Sequence, residues 1–114
     1  MIGRIWHGWT TRANADAYER LLKSEVFTGI AARRIEGYRG IQLLRREDGD
    51  EVEFVTMMRF ESLEAVRAFA GDDYEQAVVP PEARALLLRF DQRSQHTQVR
   101  AEHEYDGLRP GSDT

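Results

Sequence analysis

Val52 to Phe60 reads VEFVTMMRF, and the two faces of this stretch decide the architecture. Side chains alternate across a strand, so Val52, Phe54, Thr56, Met58 and Phe60 share one side. Glu51, Glu53, Val55, Met57 and Arg59 share the other. Both sides are apolar at mid-strand, and such a strand needs cover on both. The rest of the chain supplies helices enough for one.

Working outward, the Glu47-Asp48-Gly49-Asp50 tetrad carries a hairpin signal, because glycine takes positive φ without a Cβ clash. It joins this strand to an earlier one from about Tyr38 to Arg46, where Ile41 and Leu43 share a face and Tyr38, Gln42 and Leu44 the other. Further back, Ile2 to Thr10 alternates as a first strand, with Ile5, His7 and Trp9 on one face and Arg4, Trp6 and Gly8 on the other. Between them Tyr18, Leu21, Leu22 and Val26 recur at helical spacing, after Thr11 or Asn14 as cap. This helix is expected to reach about Phe27, with continuation past Gly29 to Ala31 as the alternative. On the far side, Ser62 caps a second helix whose stripe is Leu63, Val66 and Phe69, ending near Gly71. Pro80 and Pro81 then break the chain, with a further helical segment expected through Leu88. Arg93 to Arg100 is the last strand, and the tail from Ala101 reads as a loosely held extension.

The order is βαββαβ, a ferredoxin-like α+β fold with a four-stranded antiparallel sheet and both helices on one face, in a single domain over residues 1–100. The opposite face is expected to be covered by a second copy of the chain, sheet against sheet in a two-fold homodimer. Burying each large side chain there contributes about 1.5–3 kcal/mol, which offsets the cost of association.

Composition narrows the function classes. The chain has no cysteine, which removes disulfides, thiolate chemistry and cysteine-bound metal or iron–sulfur sites. A net charge of -4 with scattered arginines argues against nucleic acid as a partner. No apolar run reaches a membrane-spanning length of roughly 18 residues, and the first residues open straight into a strand pattern rather than a signal core, which gives the expectation of a cytoplasmic protein without a membrane partner.

Over Ile2 to Arg100 the chain resembles the antibiotic biosynthesis monooxygenase-like group of the dimeric α+β barrel superfamily. The resemblance lies in IWHGWT, NADAYERLL, GYRGIQLLRR, EVEFVTMMRF, ESLEAVRAFAG and VVPPEARALLLRF. It implies a barrel made by two ferredoxin-like subunits, with a pocket between sheet and helices. It also implies chemistry drawn from a group that includes cofactor-independent quinone-forming monooxygenases and heme-degrading oxygenases. Heme-degrading members place an asparagine on the first strand, a tryptophan on the second helix and a histidine beyond it. This chain has His7 or Gly8 near the first position and Phe69 or Tyr74 near the second, so it departs from that triad.

The implied reaction is oxidation of an electron-rich aromatic small molecule with no cofactor and no metal. Such a reaction needs a base, a donor that stabilises an anion and a dry cavity. The candidates are His7 or His96 as base, Arg59 or Tyr38 as donor, and Trp6, Trp9, Phe54 and Met58 as walls, with Tyr74 as a further binding residue. Each has a plainer reading. One tryptophan packs under a helix and the other in the dimer core; His96 is polar filler on a strand; Arg59 pairs with Glu51 or Glu53; the tyrosines rim the dimer. A non-catalytic dimer that binds a small molecule or serves as a scaffold is the alternative function.

Overall fold

In the computed structural model, which describes residues 1–105, β1 (Ile2–Thr11) is the central strand of an antiparallel sheet. On one side it pairs with β3 (Glu51–Phe60) along its whole length, Ile2 opposite Phe60 and Thr11 opposite Glu51. Next comes β2 (Tyr38–Asp48), joined to β3 by the hairpin at Gly49, whose φ of 63° is the left-handed value the Asp-Gly signal demands. A register shift lies between Tyr38 and Gly40.

The helical layer begins at α1 (Arg12–Leu21), where Thr11 Oγ1 accepts from Asn14 N at 3.1 Å. Its polypeptide runs on through a π-helical turn (Leu22–Val26) into α2 (Phe27–Ala32), so the longer of the two expected extents is found. Gly29 does not interrupt it; the irregularity is the π turn. In α3 (Leu63–Ala70) the Ser62 hydroxyl accepts from Ala65 N, and Gly71, at φ 93°, closes the helix.

The last third departs from expectation in two places. The helix after the two prolines is one turn, α4 (Pro81–Arg84), because β1 captures the chain beyond it: Leu88 N donates to Trp9 O at 2.7 Å. The final strand is two short pieces, β4 (Arg89–Phe90) and β5 (Gln95–Gln98), both antiparallel to β1, so the sheet has five segments rather than four. Between them Asp91 N still donates to His7 O of β1, and the next residues turn to the strap before α4. Ser94 N donates to Glu75 O, Ala77 N to Gln92 O, and Gln76 bridges Arg93. Residues 101–105 are exposed and outside regular structure, and 106–114 of the expected tail lie outside the described residues.

Only one sheet face is covered by helices. Val52, Phe54, Met58 and Phe60 point into it and are buried, as do Arg4, Trp6 and Thr10 from β1. Two clusters form there. Ala15, Tyr18, Leu22, Val52, Phe54 and Ala83 make one. Met58, Phe60, Ala65, Val66 and Phe69 make the other. Ile5, His7, Trp9, Val55 and Met57 point to the opposite face, where no element of the described chain covers them. No helix is long and apolar enough to cross a membrane among the described residues.

Candidate functional site

The two core clusters do not quite meet, and a cavity of about 60 Å³ lies at their seam. From one side Tyr18, Leu22 and Ala83 line it; from the other Met58, Ile41 and Phe69 do. Arg4 and Trp6 of β1 and Thr56 of β3 lie on the sheet side. Thr56 is the small residue in the middle of VEFVTMMRF, opposite Trp6 and Leu43 in register, and its size leaves the gap that phenylalanine or methionine fills elsewhere on that face. The π turn contributes Leu22 and Val26; such turns insert a residue and redirect the following side chains.

A second hollow of about 340 Å³ lies against the helices and shares Val26, Ile30, Phe69, Val78 and Pro80 with the first. An inner cavity and an outer one thus adjoin at these five side chains. Glu25, Arg33 and Glu82 lie on the outer hollow.

Trp6 is locked in place. Its indole Nε1 donates to Asp91 O at 2.8 Å, its ring packs 5.9 Å from Phe90, and it folds over Gly8. A Cβ at Gly8 would stand 2.7 Å from the indole and 3.1 Å from Leu87. Gly8→Ala is therefore expected to displace the ring and to destabilise the fold by about 1–3 kcal/mol, the usual cost of overpacking, read as a lower denaturation midpoint.

Arg4 is the buried cation of the site, 3% exposed, and sequence reasoning did not single it out. Its guanidinium donates to Tyr74 O at 2.5 Å, to Gln76 O at 3.1 Å and to His96 Nε2 at 2.9 Å, and lies 5.3 Å from the Phe69 ring centre. Burial pushes its pKa down to about 10, so it remains charged at neutral pH. Because an arginine only donates, His96 Nε2 accepts and the imidazole proton resides on Nδ1. Burial, then the neighbouring Arg4 charge, lowers the His96 pKa and keeps the ring neutral. The available signal was parity: Arg4 shares the face of Trp6 and Gly8, and a charged residue among helix-covered positions of a strand is unusual.

The other sequence candidates divide between two faces. Phe54 and Met58 face the helices with Trp6, Met58 on the cavity and Phe54 edge-on to Tyr18 at 4.8 Å. Tyr38 packs 5.4 Å from Phe60 at the other end of that core, and burial raises its pKa while the Arg59 charge lowers it. Tyr74 packs edge-on to His96 at 5.1 Å.

On the open face, His7 Nδ1 donates to Glu53 at 2.8 Å, and Glu53 also accepts from Arg46. Those hydrogen bonds, that of His7 first, lower the Glu53 pKa. Trp9 stacks on His7 at 6.0 Å and lies under Arg89, which makes a two-pronged pair with Glu51. Glu51 and Glu53 are thus taken by Arg89, His7 and Arg46, and Arg59 has no carboxylate partner among the described residues. Its guanidinium lies across Gly40, where a Cβ would come within 2.8 Å. Trp6 and Trp9 stand on opposite sides of the sheet, and one cavity within the chain cannot have both as walls.

This architecture has solved counterparts. A protein from Bacillus cereus assigned to the antibiotic biosynthesis monooxygenases matches over 91% of this chain and 97% of its own, at 17% identity and a TM-score of 0.63. The chain has the antibiotic biosynthesis monooxygenase-like fold. The same fold is shared with Rv0793 of Mycobacterium tuberculosis, at 21% identity and a TM-score of 0.56 over 91% of this chain and all of that one. It is shared too with the heme degrader MhuD of the same organism, solved with two hemes in its active site, at 21% identity and a TM-score of 0.55 over 91% of this chain and all of MhuD. No family model and no curated protein matches the sequence.

Proposed function

We propose that the chain is an oxidising enzyme for an electron-rich aromatic small molecule, using dioxygen without a resident cofactor, and that it works as a homodimer. The observation that carries this reading is the cavity at the seam of the core, walled by Trp6, Met58 and Phe69 and sharing five lining side chains with the outer hollow. Within this fold, the cavity and the adjoining hollow together offer an apolar bed for a small aromatic molecule.

In the reaction a ring carbon bearing two hydrogens becomes a carbonyl. The substrate ionises, its electron pair reduces dioxygen to a carbon-bound peroxide, and loss of water leaves one oxygen on the carbon. One dioxygen is consumed and one water released. The inner cavity is lined by no imidazole or carboxylate, and Tyr18, whose pKa burial raises, stays neutral. The protein's part is therefore to hold the anion and keep it dry rather than to pull the proton off with a strong base. His96 acts through Arg4, whose guanidinium it anchors. A heme macrocycle is far larger than the inner cavity and no imidazole lines that cavity, so no step is assigned to heme.

The homodimer reading rests on Ile5, Trp9, Val55 and Met57, which face away from the helices on the uncovered side. Pairing of two such faces would place the His7–Glu53–Arg46 network at the interface.

Oxygen uptake tests the activity. With a panel of anthrones and hydroquinones under air, consumption above the buffer rate is expected, with one carbonyl product per dioxygen for the anthrones, and a lower rate in Trp6→Phe through weaker binding. If no compound in the panel reacts or raises the melting temperature, the enzyme reading gives way to a non-catalytic dimer whose core is filled by Trp6, Phe54 and Met58.

A further inference from the structure

The arginines that meet carboxylates lie at the surface, where water shares in compensating their charge. Arg12, Arg39, Arg45, Arg46, Arg89 and Arg93 all meet carboxylates. Arg4, the one that is buried, meets none among the described residues. Its three hydrogen-bond partners are two backbone carbonyls and a neutral imidazole. A buried cation held only by neutral acceptors is poorly compensated, and the cavity it lines is otherwise walled by apolar side chains with Thr56 and Ser94.

We propose that Arg4 is the receptor for an anionic oxygen, carboxylate or phenolate, carried by a ligand whose apolar body occupies the outer hollow. This deepens the reading that the cavity takes a small aromatic molecule, and rests on it. Size supports the division. About 60 Å³ is the space of roughly two water molecules, enough for a charged head and too little for a ring. The adjoining hollow of about 340 Å³ lies within the range of small-ligand sites. Charge sets the direction. The outer hollow carries two carboxylates, Glu25 and Glu82, against one cation, Arg33, which already donates to two backbone carbonyls, while Arg4 is the cation on the inner cavity. Phe69 stands at the boundary with guanidinium groups near its ring, Arg4 at 5.3 Å and Arg33 at 5.4 Å, and Arg33 is tied to Ala68 O and Phe69 O at the end of α3. The ring therefore has a fixed place between head and body.

The test compares ligands of one shape and different charge. Full-length protein is titrated with 2-naphthoate, 2-naphthol and neutral 2-naphthamide, by calorimetry and by melting temperature, across neutral to alkaline pH. The naphthoate is expected to bind about tenfold or more tightly than the amide, as a charge-assisted hydrogen bond warrants. A phenolate receptor would instead show naphthol binding that strengthens as the naphthol ionises, and either preference supports the proposal. Arg4→Gln is expected to abolish the preference while leaving amide binding in place, and Arg4→Lys to keep part of it. Equal affinity for charged and neutral probes, a preference that survives in Arg4→Gln, or no binding of any probe at millimolar concentration overturns it. The wild-type comparison needs no variant, so it remains decisive if Arg4→Gln fails to fold. Binding preference and oxygen uptake fail separately: an Arg4-dependent preference without uptake sinks the oxygenase reading alone, and uptake without a preference sinks this one alone.

Discussion

Met57→Lys is expected to convert the proposed dimer to a monomer at micromolar concentration, by sedimentation or light scattering, without unfolding the subunit. Met57 points away from the helices, between Ile5 on β1 and Gln42 on β2. The interior of the subunit does not use it. In a sheet-to-sheet dimer the same side chain is desolvated, and an ammonium there would be buried without a partner, twice per dimer, at a cost of several kcal/mol. Lysine is the better probe than glutamate because Arg59 lies two residues along the same face, and its guanidinium has no carboxylate partner among the described residues and could neutralise a carboxylate. Val55→Asp, next to Glu53, makes a second probe by repulsion of like charge. Wild-type protein that already sediments as a monomer, or a Met57→Lys protein that stays dimeric, removes the open face as the interface.

Phe60→Ala is expected to lower the unfolding free energy by about 3–5 kcal/mol, the usual range for emptying a buried phenylalanine site. Phe60 is fully buried, packs against Tyr38 and Phe69, and ends β3 at the point where both β1 and β2 are paired to it. Three elements lose contact with one truncation, so the site has little freedom to collapse. A loss of this size is a large share of the roughly 5–15 kcal/mol that holds an ordinary domain folded, and chemical denaturation measures it directly. Truncating Leu44, which is 45% exposed on the open face, is the control; a similar loss there would mean that the uncovered face contributes as much as the covered one.

The strand order, both long helices, the Ser62 cap and the Asp-Gly hairpin were legible because each is written in local periodicity or in a single residue's chemistry, whereas the choice of Thr11 over Asn14 as the first cap came from the structure. Alternation also sorted β1 and β3 into the faces that the structure has, since the period of two leaves no other choice once the strand is straight. The final strand was legible only in position. Its division into β4 and β5 depends on the pairing of Gln92, Arg93 and Ser94 with the distant strap of Glu75, Gln76 and Ala77, which no local pattern encodes.

What the sequence determined by itself is therefore the fold class and the existence of an uncovered apolar face, because both follow from counting apolar faces against helices. The candidate site was decided by tertiary structure. The seam between the two clusters depends on the size of Thr56 opposite Trp6, on a π turn in a helix whose sequence reads as ordinary, and on the close approach of the 74–76 strap to Arg4. A buried arginine and a solvated one are the same letter in a strand. Only the arrival of Phe69, Tyr74 and His96 from distant parts of the chain makes Arg4 the cation inside the protein and leaves Arg59 outside it.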